Sequence, residues 1–394
     1  MFRTKTRAPL CTSFVLLLLA AGCPGPEIRP RDGSDGSMSA DATSDGAASG
    51  DAGSDGAGGC GIGYVSNGTS CVDVDECASS NGGCAQTCSN SPGTHACGCL
   101  PGYRIAADHQ NCLAAADTVA VGGLHACSID DAGALACWGD NTYGQTTVPQ
   151  LVGGRVWSRV TAGDRHTCGL VSDGTLRCWG DATSSATSVP TNIPAGVTWT
   201  RVAAGNAHTC GVLSTGQVRC WGENTYGQAN EPSGLSYRSV VAGWRFTCAA
   251  DVGGYVSCWG STAYNIATVP PVPSGVTFTN MGADWAGTHA CATRSDGPLQ
   301  CWGYNGMGEA SAPGTPSAGV TWLDSAAGVD HSCGVRTDGA LVCWGSNNFG
   351  QSAVPSTPVG VSWSAVAAGV YCTCGVRTDG KVFCWGSFQD GTTC

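Results

Sequence analysis

From residue 118 onward the chain runs in apolar–polar stretches of five or six residues, each cut short by glycine. A Val-Ala-Ala-Gly-like stretch, as in Val202–Gly205, leads within a few residues to His-x-Cys and then to Asp-Gly-x-Leu-x-Cys-Trp-Gly. Runs this short, with a period of two, predict strands rather than helices. The pattern also repeats. Cys-Trp-Gly begins at Cys137, Cys178, Cys220, Cys258, Cys301, Cys343 and Cys384, and a second cysteine stands ten residues ahead of each, at Cys127, Cys168, Cys210, Cys248, Cys291, Cys333 and Cys374. Six repeats carry an aromatic further upstream: Trp157, Trp199, Tyr237, Phe278, Trp322 and Trp363. Self-similarity with a period near 40 decides the fold class. A sheet of about four strands repeated seven times predicts an all-β, seven-bladed β-propeller over residues 113–394, because a lone blade cannot bury its two faces and a ring can.

The paired cysteines fit that geometry. In Cys168 to Cys178, Leu170 and Leu176 fall in two strands around Ser172-Asp173-Gly174. A three-residue hairpin loop takes Gly at its last, left-handed position, and every repeat supplies it: Gly133, Gly174, Gly216, Gly254, Gly297, Gly339 and Gly380. The two cysteines then face each other at a separation of roughly 4.5–5.5 Å, within disulfide reach. The rival is zinc, because His125, His166, His208, His289 and His331 each sit two residues before a cysteine, on the same strand face. A lone second cysteine per blade in an oxidising compartment speaks against it. The histidines are expected to hydrogen-bond the neighbouring blade's backbone. Trp follows Cys, so disulfides and tryptophans belong on opposite faces of each hairpin.

Composition places this fold outside the cytosol. Twenty-six cysteines in 394 residues imply an oxidising compartment. A net charge of −11 leaves no footprint for nucleic acid or anionic lipid. Arg3, Lys5 and Arg7 precede a short apolar stretch ending in Leu19-Ala20-Ala21-Gly22-Cys23, too short to span a bilayer. Residues 1–22 resemble a bacterial lipoprotein signal, which implies lipidation of Cys23 and a membrane anchor. Residues 23–59 are Gly, Ser, Ala and Asp with nothing to bury. They read as a disordered tether. Residues 60–112 hold Cys60, Cys71, Cys77, Cys84, Cys88, Cys97, Cys99 and Cys112, the density of a small module that needs staples.

Two resemblances follow. Val-Ala-Ala-Gly-x-x-His-Thr-Cys, Asp-Gly-x-Leu-x-Cys-Trp-Gly and Asn-Thr-Tyr-Gly-Gln (Asn141–Gln145, Asn224–Gln228) make the chain similar to the regulator-of-chromosome-condensation repeat family. That resemblance implies a seven-bladed protein-binding disc. The family includes a nuclear nucleotide-exchange factor and a secreted β-lactamase inhibitor, so fold alone selects no single activity. Asp73-Val74-Asp75-Glu76-Cys77 and Cys88-Ser89-Asn90 resemble the calcium-binding epidermal-growth-factor-like (EGF-like) family. This implies Ca²⁺ held by side chains of Asp73, Glu76 and Asn90 and by carbonyls of Val74, Ser91 and Thr94, an oxygen set suited to calcium. It also implies the pairs Cys77–Cys88, Cys84–Cys97 and Cys99–Cys112. Cys60 and Cys71 look like the end of a degenerate preceding module. Cys372 and Cys394 are left over, and parity alone pairs them.

The function these features point to is a non-enzymatic adhesion or recognition lipoprotein of the cell envelope, with an extracellular or envelope protein as partner. A propeller that inhibits an extracellular enzyme, or a hydrolase or lyase with an axial site, remains the alternative. No nucleophile motif or carboxylate pair stands outside the repeat. Positions that break the repeat are free to serve binding. In the loop before His-x-Cys these are Trp244 and Arg245 in blade four, Trp285 in blade five, Arg165 in blade two and Tyr371 in blade seven. Trp, Tyr and Arg dominate interface hot spots.

Overall fold

The computed structural model describes residues 60–394 except 61–63, 68, 85–86, 99–102, 106–111, 284–286, 315 and 389–390. The segments read as a signal peptide and a tether, with Cys23, Cys99 and Trp285, thus lie outside the described residues.

Seven three-stranded antiparallel sheets follow one another along the chain. Blade one is Val119–Val121, His125–Ile129 and Leu135–Gly139; blade two is Trp157–Ala162, His166–Val171 and Leu176–Gly180. Blade three is Trp199–Ala204, His208–Leu213 and Val218–Gly222; blade four is Tyr237–Ala242, Phe246–Asp251 and Val256–Gly260. Blade five is Phe278–Gly282, His289–Arg294 and Leu299–Gly303; blade six is Trp322–Ala327, His331–Arg336 and Leu341–Gly345. Blade seven is Trp363–Ala368, Cys372–Arg377 and Val382–Gly386. The expected fourth strand is not formed: the stretch between blades is rich in proline and glycine and runs irregularly, as at 146–156. Proline cannot donate to a ladder, which accounts for the missing strand.

Each blade's cysteines are cross-strand partners, as Cys168 is to Cys178, and all seven pairs are bonded. Their Cα atoms lie 4.0–4.1 Å apart, closer than an unlinked pair. The hairpin glycines have positive φ, for example Gly174 at 80°. The upstream aromatics are buried between blades, where Trp157 meets Trp179 with ring centroids 5.6 Å apart. Each such ring contributes on the order of 2–3 kcal/mol.

Blades are joined by a buried polar relay. His166 Nε2 lies 2.9 Å from Thr209 Oγ1 of the next blade. That hydroxyl donates to the carbonyl of Ala186 at 2.9 Å, and Trp221 Nε1 donates to the same carbonyl at 2.7 Å. A hydroxyl has one proton. Since Thr209 gives it to the carbonyl, His166 must carry its own proton on Nε2. His125–Thr167, His208–Thr247, His289–Ser332 and His331–Thr373 repeat the arrangement at 2.6–2.9 Å. The expected backbone acceptor for histidine is therefore corrected to a side-chain hydroxyl; the backbone carbonyl is one step further on. Because Thr209 alternates with Cys210, it faces the preceding blade and reaches His166 first.

The Val-Ala-Ala-Gly glycine is also explained. A Cβ on Gly205 would stand 2.3 Å from His208 Cε1, so the imidazole packs flat on bare backbone.

Where the histidine is missing, the hydroxyl is missing too. Phe246 of blade four faces Ala290 of blade five, and Cys372 of blade seven stands opposite Ala126 of blade one, with Phe246–Ala290 and Cys372–Ala126 each inside one apolar cluster. The second pair is the ring closure. Val119, Val121 and Ala126 pack with Ala365, Cys372, Cys374 and Val376. Cys372 is bonded to Cys394, whose carbonyl accepts from Trp138 Nε1 at 3.2 Å. Cys394 thus supplies blade one with the acceptor that the inter-blade loop supplies elsewhere.

Burial holds the five imidazoles well below their ordinary value, to about 3 at His125, His208 and His289 and about 4 at His166 and His331. They fold neutral. A lowered histidine contributes stability that is present above about 6.5 and is lost as pH falls towards 3–4. Thermal melts should therefore show the midpoint falling steadily between pH 7 and pH 5. Thr209→Ala strands the His166 N–H and should cost about 1–3 kcal/mol. Adding His166→Phe, which copies the natural Phe246–Ala290 pair, should recover part of that loss in a double-mutant cycle.

Candidate functional site

Three places carry side chains that the fold does not consume. The first is the cysteine-dense module. Cys60–Cys71, Cys77–Cys88 and Cys84–Cys97 are bonded. The hairpin Thr87–Ser91 and Thr94–Gly98 sets Asn90 opposite His95 and Ser91 opposite Thr94. Asp73 ends the strand Cys71–Asp73 and reaches across to this hairpin. Its carboxylate accepts from Asn90 Nδ2 at 2.7 Å and from the Gly93 N–H at 2.6 Å. Glu76 opens a 3-10 turn, with Asp75 capping it through the Cys77 N–H. Glu76 Oε2 is buried without a hydrogen-bond partner, and His95 Nδ1 is 4.0 Å from it. An orphaned carboxylate oxygen near a carboxylate–amide pair fits a hard cation: an amide turned end for end would offer oxygen in place of nitrogen. Among the described residues one His/Cys/carboxylate cluster has ligand spacing, Cys84, His95 and Cys97, but its two sulfurs are bonded to each other. Zinc in the blades is excluded in the same way, because their cysteines are disulfides.

The second place is the rim formed by the loops before each middle strand and after each third strand. Of the proposed partner residues, Trp244, Arg245, Arg165 and Tyr371 are described, in loops of blades four, two and seven. Trp244 is exposed, and Arg245 lies over its ring at 3.9 Å and over the Tyr226 ring of blade three at 4.3 Å. Arg165 lies over Tyr143 at 4.9 Å and beside Asp164. Tyr371 stacks on Phe349 at 4.2 Å. Arg245, Arg165 and Tyr371 thus each meet an aromatic from the blade before. Tyr143, Tyr226 and Phe349 were missed from sequence, although all three hold the same place before Gly-Gln, at Gln145, Gln228 and Gln351.

The third place is the axial channel, about 210 Å³, walled by the Val/Ala/Gly first strands. Asp117, Arg201, Ser239, Asn280 and Asp324 give it its polar groups. Asp117 is ion-paired with Arg159. Asp324 accepts from the N–H groups of Ser325 and Val366 and from Asn280 Nδ2, at 2.9–3.0 Å. It therefore links blades five, six and seven. Burial pushes its carboxyl up to about 7, against the three hydrogen bonds that lower it.

A family model described as the regulator of chromosome condensation (RCC1) repeat matches residues 117–145, 157–185, 199–228, 326–351 and 363–392. The chain carries RCC1 repeats. A second model, described as the coagulation factor Xa inhibitory site, matches residues 77–112. Mouse nidogen-1 is 33% identical over 100 residues, 24% of this chain and 8% of its own length. Human multiple epidermal growth factor-like domains protein 6 is 52% identical over 42 residues, 11% of this chain and 3% of its own. The chain thus spans less than a tenth of these curated relatives. The CRINKLY WD40 ectodomain of the Arabidopsis thaliana receptor kinase ACR4 superposes with TM-score 0.53 at 26% identity, covering 71% of this chain and 97% of that one. Prp20p from Saccharomyces cerevisiae gives 0.52 at 17% identity, over 64% and 80% of the two chains. Human WBSCR16 gives 0.55 at 17% identity, over 64% and 85%. The last two likenesses concern the fold alone.

The RCC1 repeat model leaves all of blades four and five unmatched. These are the blades joined by Phe246 and Ala290 in place of histidine and hydroxyl. The first-strand position that carries Arg159, Arg201, Ser239, Asn280, Asp324 and Ala365 varies from blade to blade. That variation was the available signal for the axial groups. Asp324 also yields a signed prediction. A raised carboxylate favours the fold below about pH 4, and that contribution is lost as pH rises through 7. The melting temperature of Asp324→Asn relative to the parent should rise between pH 5 and pH 7.5. A difference constant across that range would disprove the assignment.

Proposed function

We propose that this chain is an exported, non-enzymatic protein-binding ectodomain of the cell envelope, anchored through a lipidated Cys23 and a flexible tether, with Ca²⁺ in its EGF-like module. The observation that carries the reading is a division of labour. The polar side chains that recur in the blades are spent on folding, each histidine and hydroxyl in the inter-blade relay. The exposed aromatics and arginines stand together on the loop rim. Those are the residue types that anchor protein partners. Both carboxylates of the axial channel are engaged, Asp117 by Arg159 and Asp324 by three donors, which favours binding over catalysis. The ACR4 likeness is to a receptor ectodomain, and the disulfide in every blade suits export.

Calcium would be held by Asp73, Glu76 and Asn90 with the carbonyls of Val74, Ser91 and Thr94. Its charge would satisfy the orphaned Glu76 oxygen and fix the strand Cys71–Asp73 to the hairpin Thr87–Gly98. Titration of the full chain with Ca²⁺ by calorimetry should show one site, lost in Glu76→Gln and in Asp73→Asn. No heat up to about 10 mM, beyond the weak extracellular range, would remove calcium from the account. For the binding reading, a photo-reactive side chain at Tyr143 or Tyr226 on the cell-displayed protein should give protein adducts. Adducts confined to the opposite face would sink it. Cys23→Ser should move the protein from the membrane fraction to the medium.

A further inference from the structure

Blade four breaks the repeat at positions that meet in space. In blades one, three, five and six the turn after the third strand is pinned by a buried side chain. Gln145, Gln228 and Glu309 accept the N–H two residues earlier at 2.7–2.9 Å, and Gln351 does the same. Blade four has Ile266, whose side chain has no acceptor to offer, although its carbonyl still takes the Trp302 Nε1–H at 3.1 Å. Its turn becomes the 3-10 segment Ala263–Asn265 with Tyr264 at φ 58°, a conformation costly for an aromatic residue. The Tyr264 ring lies edge-on to Tyr304 at 4.8 Å. Phe246 and Ile266 share one apolar cluster. Between them and Trp244 lies a pocket of about 190 Å³ that Tyr264 and Thr288 also line.

Arg245 stands at this pocket. Among the described residues, the other arginines with described side chains each reach a carboxylate or a backbone carbonyl. Arg245 contacts two ring faces instead. Stacking covers the faces of a guanidinium and leaves its in-plane N–H groups without acceptors. In a chain of net charge −11, this is a cation held in place by aromatics rather than neutralised by an acid.

We propose that the blade-four pocket binds an acidic segment of a protein partner: a carboxylate pairs with Arg245 and a neighbouring apolar side chain enters between Trp244, Phe246 and Tyr264. The inference rests on the protein-binding reading above and names the chemistry of the partner. Charge complementarity commits it. A carboxylate matches the guanidinium fork in two parallel hydrogen bonds, and the apolar floor supplies the area that a lone ion pair lacks.

The test uses the full chain and two synthetic peptide pools, identical except that one fixes Glu and the other Gln beside a Leu or Phe. Binding is read by fluorescence polarisation. The Glu pool should bind at least about tenfold tighter, and Arg245→Gln should abolish the difference while leaving the melting temperature unchanged. Tyr264→Ala should weaken both pools equally. Equal affinity of the two pools, or an Arg245→Gln variant that still prefers Glu, overturns the proposal. A peptide of residues 24–59 that displaces the Glu pool at matching affinity would assign the pocket to this chain's own acidic tether and overturn it as well. Adducts captured from Tyr226 without any Glu preference would refute the acidic partner and leave the protein-binding reading standing.

Discussion

The ring depends on one buried hydrogen-bond relay. Histidine of one blade donates to a hydroxyl of the next, and the hydroxyl donates to a loop carbonyl that also takes the N–H of a tryptophan. Every member is buried or nearly so, and a buried donor without its partner costs the full desolvation penalty. The relay therefore acts as an address. A blade fits its neighbour only if each brings its half. Blade-to-blade contact otherwise consists of apolar side chains, aromatics such as Trp157 and Trp363 among them, and of disulfides, none of which carries a directional bond.

The two exceptions follow the same logic. Removing the imidazole at Phe246 and at Cys372 removes the need for a hydroxyl, and Ala290 and Ala126 stand in its place. At the ring closure the exchange has a further consequence. Cys372 gains a covalent link to Cys394, and the Cys394 carbonyl serves Trp138. Residue 394 thereby becomes the acceptor that closes the first blade onto the last. At the other exception, between blades four and five, apolar packing frees a turn and opens a pocket. The two places where the relay is absent are thus a seam and a candidate binding site.

The same separation runs through the module. Its disulfides hold small two-stranded sheets with almost no core, and what they align is polar: Asp73 on Asn90, and Glu76 with an oxygen left over. The propeller buries its polar groups against each other. The module keeps some unsatisfied, which is the condition of a cation site rather than of a core.

The sequence by itself determined the repeat, the hairpins and their disulfides, because each rests on local spacing: a ten-residue interval, a left-handed glycine and a period of two. It also marked Trp244, Arg245, Arg165 and Tyr371 as departures from the repeat. It misjudged the strand count, since proline between blades forbids the ladder only once the chain's path is known. It misplaced the histidine's partner, because the acceptor lies about 40 residues away on another sheet. Tertiary structure alone decided which aromatic each rim residue meets. Tyr226 comes under Arg245 only when blade three stands beside blade four. It alone showed that Arg245 has no acceptor among the described residues, for whether a charge is paired depends on every neighbour in space, and a one-dimensional pattern records only the neighbours in sequence.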